Sequence, residues 1–187
     1  HRHRKRRDGP GYEAYYDNGR EHSGKDVIEW ARRGVALGAG EILLTSVDNE
    51  GLQQGMDLEL IEAVTKAVNV PVICGVMDSS TKRVIDNIKA LEQMGGQYAV
   101  ITPVFYARHA TQDETVRHFE EISRETNISL VIYNIPPFTN QTLTPETIFR
   151  IAEIDKVVGY KDSSGRMGDF MKCLKHFRGR DDFFLMQ

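Results

Sequence analysis

Cysteine is scarce in this chain. The two thiols, Cys74 and Cys173, each lie in an apolar or amphipathic context, and neither has a CxxC partner. That argues against a disulfide framework and reads as two reduced thiols in a cytoplasmic protein. No apolar run approaches the length of a membrane span and no charged-then-apolar leader is seen, so no membrane partner is expected. Positive charge is not in excess either. The formal net charge is −3, which gives no support to general nucleic-acid binding. One local exception, HRHRKRR at His1 to Arg7, reads as a solvated terminus or a cloning remnant, with a phosphate-binding arm as the functional alternative. Neither a metal nor a cofactor is expected. The glycines Gly34, Gly38 and Gly40 precede a strand instead of following one, so they do not form a dinucleotide loop.

What is present is a regular alternation. Tyr12, Ala14 and Tyr16 alternate with Glu13 and Tyr15, and Asn18-Gly19 is a strong hairpin turn signal. Residues 1–22 are therefore read as a basic segment with a small hairpin, and residues 23–187 as one domain. Ser23 is expected to cap a helix over about Lys25 to Leu37. Apolar strands follow over Glu41–Val47, Pro71–Val76, Tyr98–Val104, Ser129–Asn134, Lys156–Lys161 and Asp182–Gln187. Between them Asp57 caps a helix over Leu58–Val68, and Ser79 or Ser80 caps one from Lys82 to about Glu92. Thr111-Gln112-Asp113-Glu114 forms a capping box for a helix running to Thr126. Thr144-Pro145 starts the next helix with proline at its first position, and Arg166–Phe177 is amphipathic.

Apolar strands alternating with amphipathic helices predict parallel βα units with right-handed crossovers, hence the α/β class. An open doubly wound sheet and a barrel both satisfy that pattern. Thr45, Thr102, Tyr133 and Lys161 all fall at carboxyl ends of strands, where barrels place their chemistry. The expectation is an incomplete (βα)8 TIM-type barrel with about six parallel strands, short of the roughly eight that close one.

The chemically conspicuous stretch is KVVGYKDSSG at Lys156 to Gly165. Val157 and Val158 lead through Gly159 and Tyr160 to Lys161 at the end of a strand. An ammonium group is strongly hydrated, and burial favours the neutral, nucleophilic amine that forms Schiff bases with ketones and aldehydes. The alternative is a strand-end lysine that snorkels to solvent.

From about Pro71 to Gln187 the chain resembles the dihydrodipicolinate synthase and N-acetylneuraminate lyase family. The resemblance is carried by ITPVFY at Ile101 to Tyr106, VIYNIP at Val131 to Pro136 and VVGYKDSSG at Val157 to Gly165. It implies a (βα)8 barrel and a pyruvate-dependent class I aldolase acting on a small 2-keto acid. Lys161 then matches the lysine that forms the Schiff base with the keto carbon, and Tyr133 the tyrosine that shuttles protons. Ser163 matches a substrate-contacting position of the lyase branch. The chain also departs from the pattern. Pro137-Phe138-Thr139 stands where synthases hold a carboxylate with arginine. Phe105, with Tyr106 adjacent, stands where they carry a relay tyrosine. The Gly-Thr-Thr-Gly-Glu loop that binds the pyruvate carboxylate is absent; Thr45 and Ser46 fall at the strand end where its threonines would lie, and are candidate substrate contacts. These departures favour a lyase or another 2-keto acid aldolase over a true synthase.

Residues Arg6 to about Ile73 resemble instead the cyclase subunit of imidazole glycerol phosphate synthase, through RRDGPGYEAYYDNGREHSG, LGAGEILLTSVDNEG and GMDLELIEAVTKAVNVPVI. In that comparison the strand before RRDG is missing, with His3 near the position of its aspartate, and CGVMDSS replaces the glycine-rich phosphate loop. Only the Thr45 region and the loop from Asp48 to Gly51 remain of the cyclase site. The two resemblances meet within NVPVICG, which reads as a chimera of two partial barrels. Three functions follow: a Schiff-base lyase or aldolase, inactive if the missing carboxylate loop is essential; a non-catalytic chimeric or truncated barrel; and a cyclase remnant that binds a phosphosugar. The chain is read as ending before the loop where the lyase branch places further substrate contacts. Exposed sheet edges predict a homo-oligomer.

Overall fold

The computed structural model describes residues 11–17, 20–46 and 56–187, and residues 2–5 as a strand only. Strands and helices alternate along the chain, which divides into two compact units. His1–Gly75 with Lys89–Tyr98 form the first, and Val76–Ile88 with Ala99–Gln187 form the second.

In the first unit the strands β1 (Arg2–Lys5), β2 (Tyr12–Tyr16), β3 (Glu21–Asp26), β4 (Ile42–Ser46) and β5 (Val72–Val76) are ordered β3-β2-β1-β4-β5. β1 pairs antiparallel with β2 and parallel with β4, and β4 pairs parallel with β5. The expectation that the strand before RRDG is missing is corrected here, since β1 supplies it. The ladder is made by backbone groups, which pair irrespective of side-chain charge, and β1 fills the place between hairpin and parallel strands. The hairpin β2–β3 forms as expected; its Asn18-Gly19 turn, the RRDGPG segment to Pro10 and the loop from Asp48 to Gly51 lie outside the described residues. Strict alternation along β2 fails. The register shifts between Glu13 and Tyr15, a bulge that buries Ala14 and Tyr15 in succession and leaves Tyr16 exposed.

Ser23 does not cap the first helix. It lies within β3 and its hydroxyl donates to the Ala14 carbonyl. The cap is Asp26, whose carboxylate accepts from the N–H groups of Ile28 (2.9 Å) and Glu29 (3.2 Å). Helix α1 (Val27–Ala36) ends near Gly38, whose φ of +98° glycine adopts without strain. Helix α2 (Leu58–Ala67) is capped by Asp57 and packs on α1. Leu44, Leu60, Val64, Val72 and Ile73 form the core of this unit.

In the second unit β6 (Tyr98–Ile101), β7 (Ser129–Asn134), β8 (Val157–Asp162) and β9 (Phe184–Met186) lie in the order β6-β7-β8-β9. β7–β8 and β8–β9 are parallel. Helix α3 (Thr81–Gln93) precedes β6, and α4 (Gln112–Glu125), α5 (Pro136–Thr139), α6 (Pro145–Ile151) and α7 (Met167–His176) connect the strands that follow. Helices α4, α6 and α7 pack neighbour on neighbour. The capping box forms: Thr111 Oγ1 accepts from the Glu114 N–H at 3.2 Å and the Glu114 carboxylate accepts from the Thr111 N–H. At the other end of α4 the Lys156 ammonium donates to the carbonyls of Ser123 and Thr126, both at 2.6 Å. Phe119, Ile122, Leu130, Ile132, Ile148 and Tyr160 are buried, each apolar side chain contributing about 1.5–3 kcal/mol.

The six strands β4 to β9, alternating with helices, make this an α/β protein with an incomplete (βα)8-type barrel. Among the described residues no helix is long and apolar enough to cross a membrane, and no cluster of three His, Cys, Asp or Glu residues could hold a metal. Cys74 and Cys173 are buried free thiols, and burial pushes both up to about 12.

Candidate active site

Side chains alternate across a strand, so Tyr133 on β7 and Lys161 on β8 project to one face while Asn134, Tyr160 and Asp162 project to the other. The register pairs Tyr133 directly with Lys161 and Asn134 with Asp162. On the first face the Lys161 Nζ stands 3.9 Å from the centre of the Tyr133 ring. An ammonium at that distance is attracted by the ring quadrupole, and the amine and phenol sit side by side at the carboxyl ends of two strands. The Tyr133 hydroxyl donates to Ser163 Oγ at 3.3 Å, and the Ser163 N–H donates to the Asn134 carbonyl at 2.9 Å. Lys161 is half-buried, between the buried amine and the solvent-reaching lysine that the sequence left as alternatives.

The opposite face holds a group that the sequence reading missed. Asn134, Tyr160 and Asp162 are each 2 % exposed. The Tyr160 hydroxyl donates to Asp162 Oδ1 at 2.7 Å, and Asn134 Nδ2 donates to both Asp162 Oδ1 (3.1 Å) and the Tyr160 oxygen (3.3 Å). Ser164 Oγ donates to Asp162 Oδ2 at 3.0 Å. Burial, reinforced by the bond to Asp162, raises the Tyr160 phenol far above its ordinary range. The signal lay in alternation: a polar residue on each side of a strand-end lysine belongs to the buried face.

Tyr106 has φ +69° and is 95 % exposed, so its ring stands in solvent. Phe138, on the short helix where a carboxylate-binding arginine was sought, is also exposed. Thr45 and Ser46 end β4 in the first unit, paired with Arg2 and His3 of β1. The fourth strand-end polar residue, Thr102, is buried, and its hydroxyl has no hydrogen-bond partner.

The site can be set beside known proteins. The imidazole glycerol phosphate synthase subunit HisF of Lactococcus lactis is 38% identical over 111 residues, 59% of this chain and 42% of that protein. The 4-hydroxy-tetrahydrodipicolinate synthase of Thermodesulfovibrio yellowstonii is 36% identical over 119 residues, 63% of this chain and 40% of that one. The chain thus spans less than half the length of these relatives. In fold it is similar to the dihydrodipicolinate synthase of Acinetobacter baumannii, solved in complex with pyruvate. That structure has a TM-score of 0.73 at 24% identity, over 84% of this chain and 54% of that one. The model of the dihydrodipicolinate synthetase family matches residues 38–185, starting well ahead of Pro71 and taking in Tyr133, Lys161 and Ser163. On that match, the chain belongs to the dihydrodipicolinate synthetase family.

Proposed function

We propose that this chain carries the reactive pair of a Schiff-base carbon–carbon lyase or aldolase for a small 2-keto acid such as pyruvate. The observation that carries the reading is Lys161 Nζ set 3.9 Å from the Tyr133 ring at paired strand ends. In this reading the Lys161 amine adds to the keto carbon, and the resulting carbinolamine loses water to give the imine. The protonated imine withdraws electrons from the neighbouring carbon, so that a carbon–carbon bond there can break or form through the enamine. Tyr133 moves the protons these steps need, and Ser163, within hydrogen-bond distance of its hydroxyl, orients it or touches the substrate. Phe138 in place of a carboxylate-binding arginine favours the lyase or general 2-keto acid aldolase branch over a true synthase.

A second reading is a non-catalytic chimeric barrel. It is favoured by the absence of a Gly-Thr-Thr-Gly-Glu loop and by the boundary between the two units. One of the three chain positions at which the units divide, Gly75 and Val76 in β5, falls where the two family resemblances meet. Incubation with pyruvate and borohydride separates the readings. The aldolase reading expects a stable adduct on the peptide containing Lys161, absent from Lys161→Ala. A folded protein with no adduct at saturating pyruvate overturns it in favour of the second.

A further inference from the structure

Burying a carboxylate is costly unless hydrogen bonds compensate it, and an apolar trio would join two strands without that cost. The buried face behind the reactive pair is nevertheless polar, and each of its groups is satisfied. Asp162 accepts from Tyr160, Asn134 and Ser164. Asn134 Oδ1 accepts from the Leu143 N–H at 3.1 Å, and its backbone carbonyl from the Ser163 N–H. Three donors converge on Asp162, so it acts as an acceptor throughout, and Asn134 Nδ2 lies within hydrogen-bond distance of both Asp162 and the Tyr160 oxygen. The members are the immediate chain neighbours of Tyr133 and Lys161. Because strand side chains repeat every two residues, a slip of one residue would turn the reactive pair to the wrong face and break the ring together.

We propose that Asn134, Tyr160 and Asp162 are positioning residues for the reactive pair. Their closed ring of hydrogen bonds locks the carboxyl ends of β7 and β8 in the one register that sets Lys161 against Tyr133 and Tyr133 against Ser163. This rests on the Schiff-base reading for its chemistry but not for its geometry, and two readouts keep the two apart. The first is the rate of pyruvate trapping by borohydride as a function of pyruvate concentration. The saturating rate should fall roughly tenfold or more in Tyr160→Phe, since misplacement by about an ångström costs up to about a hundredfold. The half-saturating concentration should move little. Asp162→Asn, which keeps the shape and one acceptor oxygen, should recover part of what Asp162→Ala loses.

The second readout is reductive methylation by formaldehyde and cyanoborohydride, with labelling of Lys161 measured against the exposed Lys172 of the same molecule. It needs no substrate site. The Lys161 to Lys172 ratio should change in Tyr160→Phe while circular dichroism stays that of wild type. A wild-type chain that never traps pyruvate, with a ratio that still shifts in the variant, sinks the reaction and sustains the positioning role. Folded variants that trap and label as wild type does overturn the positioning role. Should Tyr160→Phe lose its fold, the same ratio is read in Asp162→Asn, which weakens the ring while keeping its shape, and a folded Asp162→Asn with a wild-type ratio overturns the proposal equally.

Discussion

Acidification from pH 7 to pH 5 should destabilise the second unit through His118. This side chain is 2 % exposed on α4. Its Nε2 lies 3.3 Å from the Thr102 carbonyl oxygen, which can only accept, so Nε2 carries the proton and Nδ1 the lone pair. The Thr81 hydroxyl, 2.9 Å from Nδ1, then donates to it. A second proton on Nδ1 would force the Thr81 hydroxyl to turn from donor to acceptor and would place a charge on a ring that is buried away from water. Burial, with the neighbouring His109 ring adding to it, pushes His118 down from 6.5 to about 3. The unfolded chain therefore takes up a proton near pH 6.5 and the folded chain does so only near pH 3. In that window the unfolded state binds more protons, so stability rises with pH and is lost as pH falls.

At about 1.4 kcal/mol per pH unit, the loss between pH 7 and pH 5 comes to about 2 kcal/mol. Urea unfolding followed by circular dichroism at the two pH values measures it. His118→Gln provides the control: lower stability at pH 7 from lost packing, but a pH 7 to pH 5 difference smaller than wild type by about 2 kcal/mol. His109 is also lowered by burial, but it is present in both proteins and drops out of the comparison. A variant whose acid sensitivity equals that of wild type would refute the assignment of a buried neutral imidazole.

Thr111→Ala removes the capping-box acceptor for the Glu114 N–H and should cost about 1 kcal/mol in urea unfolding, with the wild-type fold retained. Gly159→Ala places a Cβ 2.6 Å from the Phe184 ring and should destabilise by about 1–3 kcal/mol; adding Phe184→Leu should recover part of the loss, and a neutral Gly159→Ala would show that β9 moves freely. If self-association uses the β9 edge, Leu185→Lys should lower the mass measured by light scattering, because an edge lysine blocks strand addition; an unchanged oligomer would rule that edge out.

Most elements were legible because the chain marks their ends chemically. Asp57, Thr111 and Thr144 cap their helices through side-chain acceptors, and β7 spans Ser129–Asn134 as its apolar run suggests. Ends set by backbone pairing were harder to read. β6 stops at Ile101, short of Val104, because Pro103 has no N–H to offer a ladder. The helix Pro136–Thr139 is a single turn, too short for an apolar period to mark it, and it begins on the prolines that suit a first helical turn. β1 was invisible to a reading based on side-chain charge. In the site, the adjacency of Tyr133 and Lys161 follows from two strand ends in register. The Asn134–Tyr160–Asp162 ring requires knowing which face is buried, and the outward ring of Tyr106 depends on a left-handed backbone that its residue type does not announce.

The reactive pair and its buried supports all lie within the second unit, on two strands joined by their own ladder and polar ring. On the proposed reading, amine reactivity and substrate holding are separable. The first would draw on β7 and β8; the second would need donors for a carboxylate, for which the chain lacks both the glycine-rich loop and the arginine of the synthase pattern. A chain built this way should methylate readily at Lys161 and trap a small uncharged aldehyde. It should bind pyruvate weakly, with half-saturation high and sensitive to salt, because exposed charges alone would hold the carboxylate. Tight, salt-insensitive saturation by pyruvate would instead mean that a carboxylate site exists, made by residues other than the loop that the family pattern specifies.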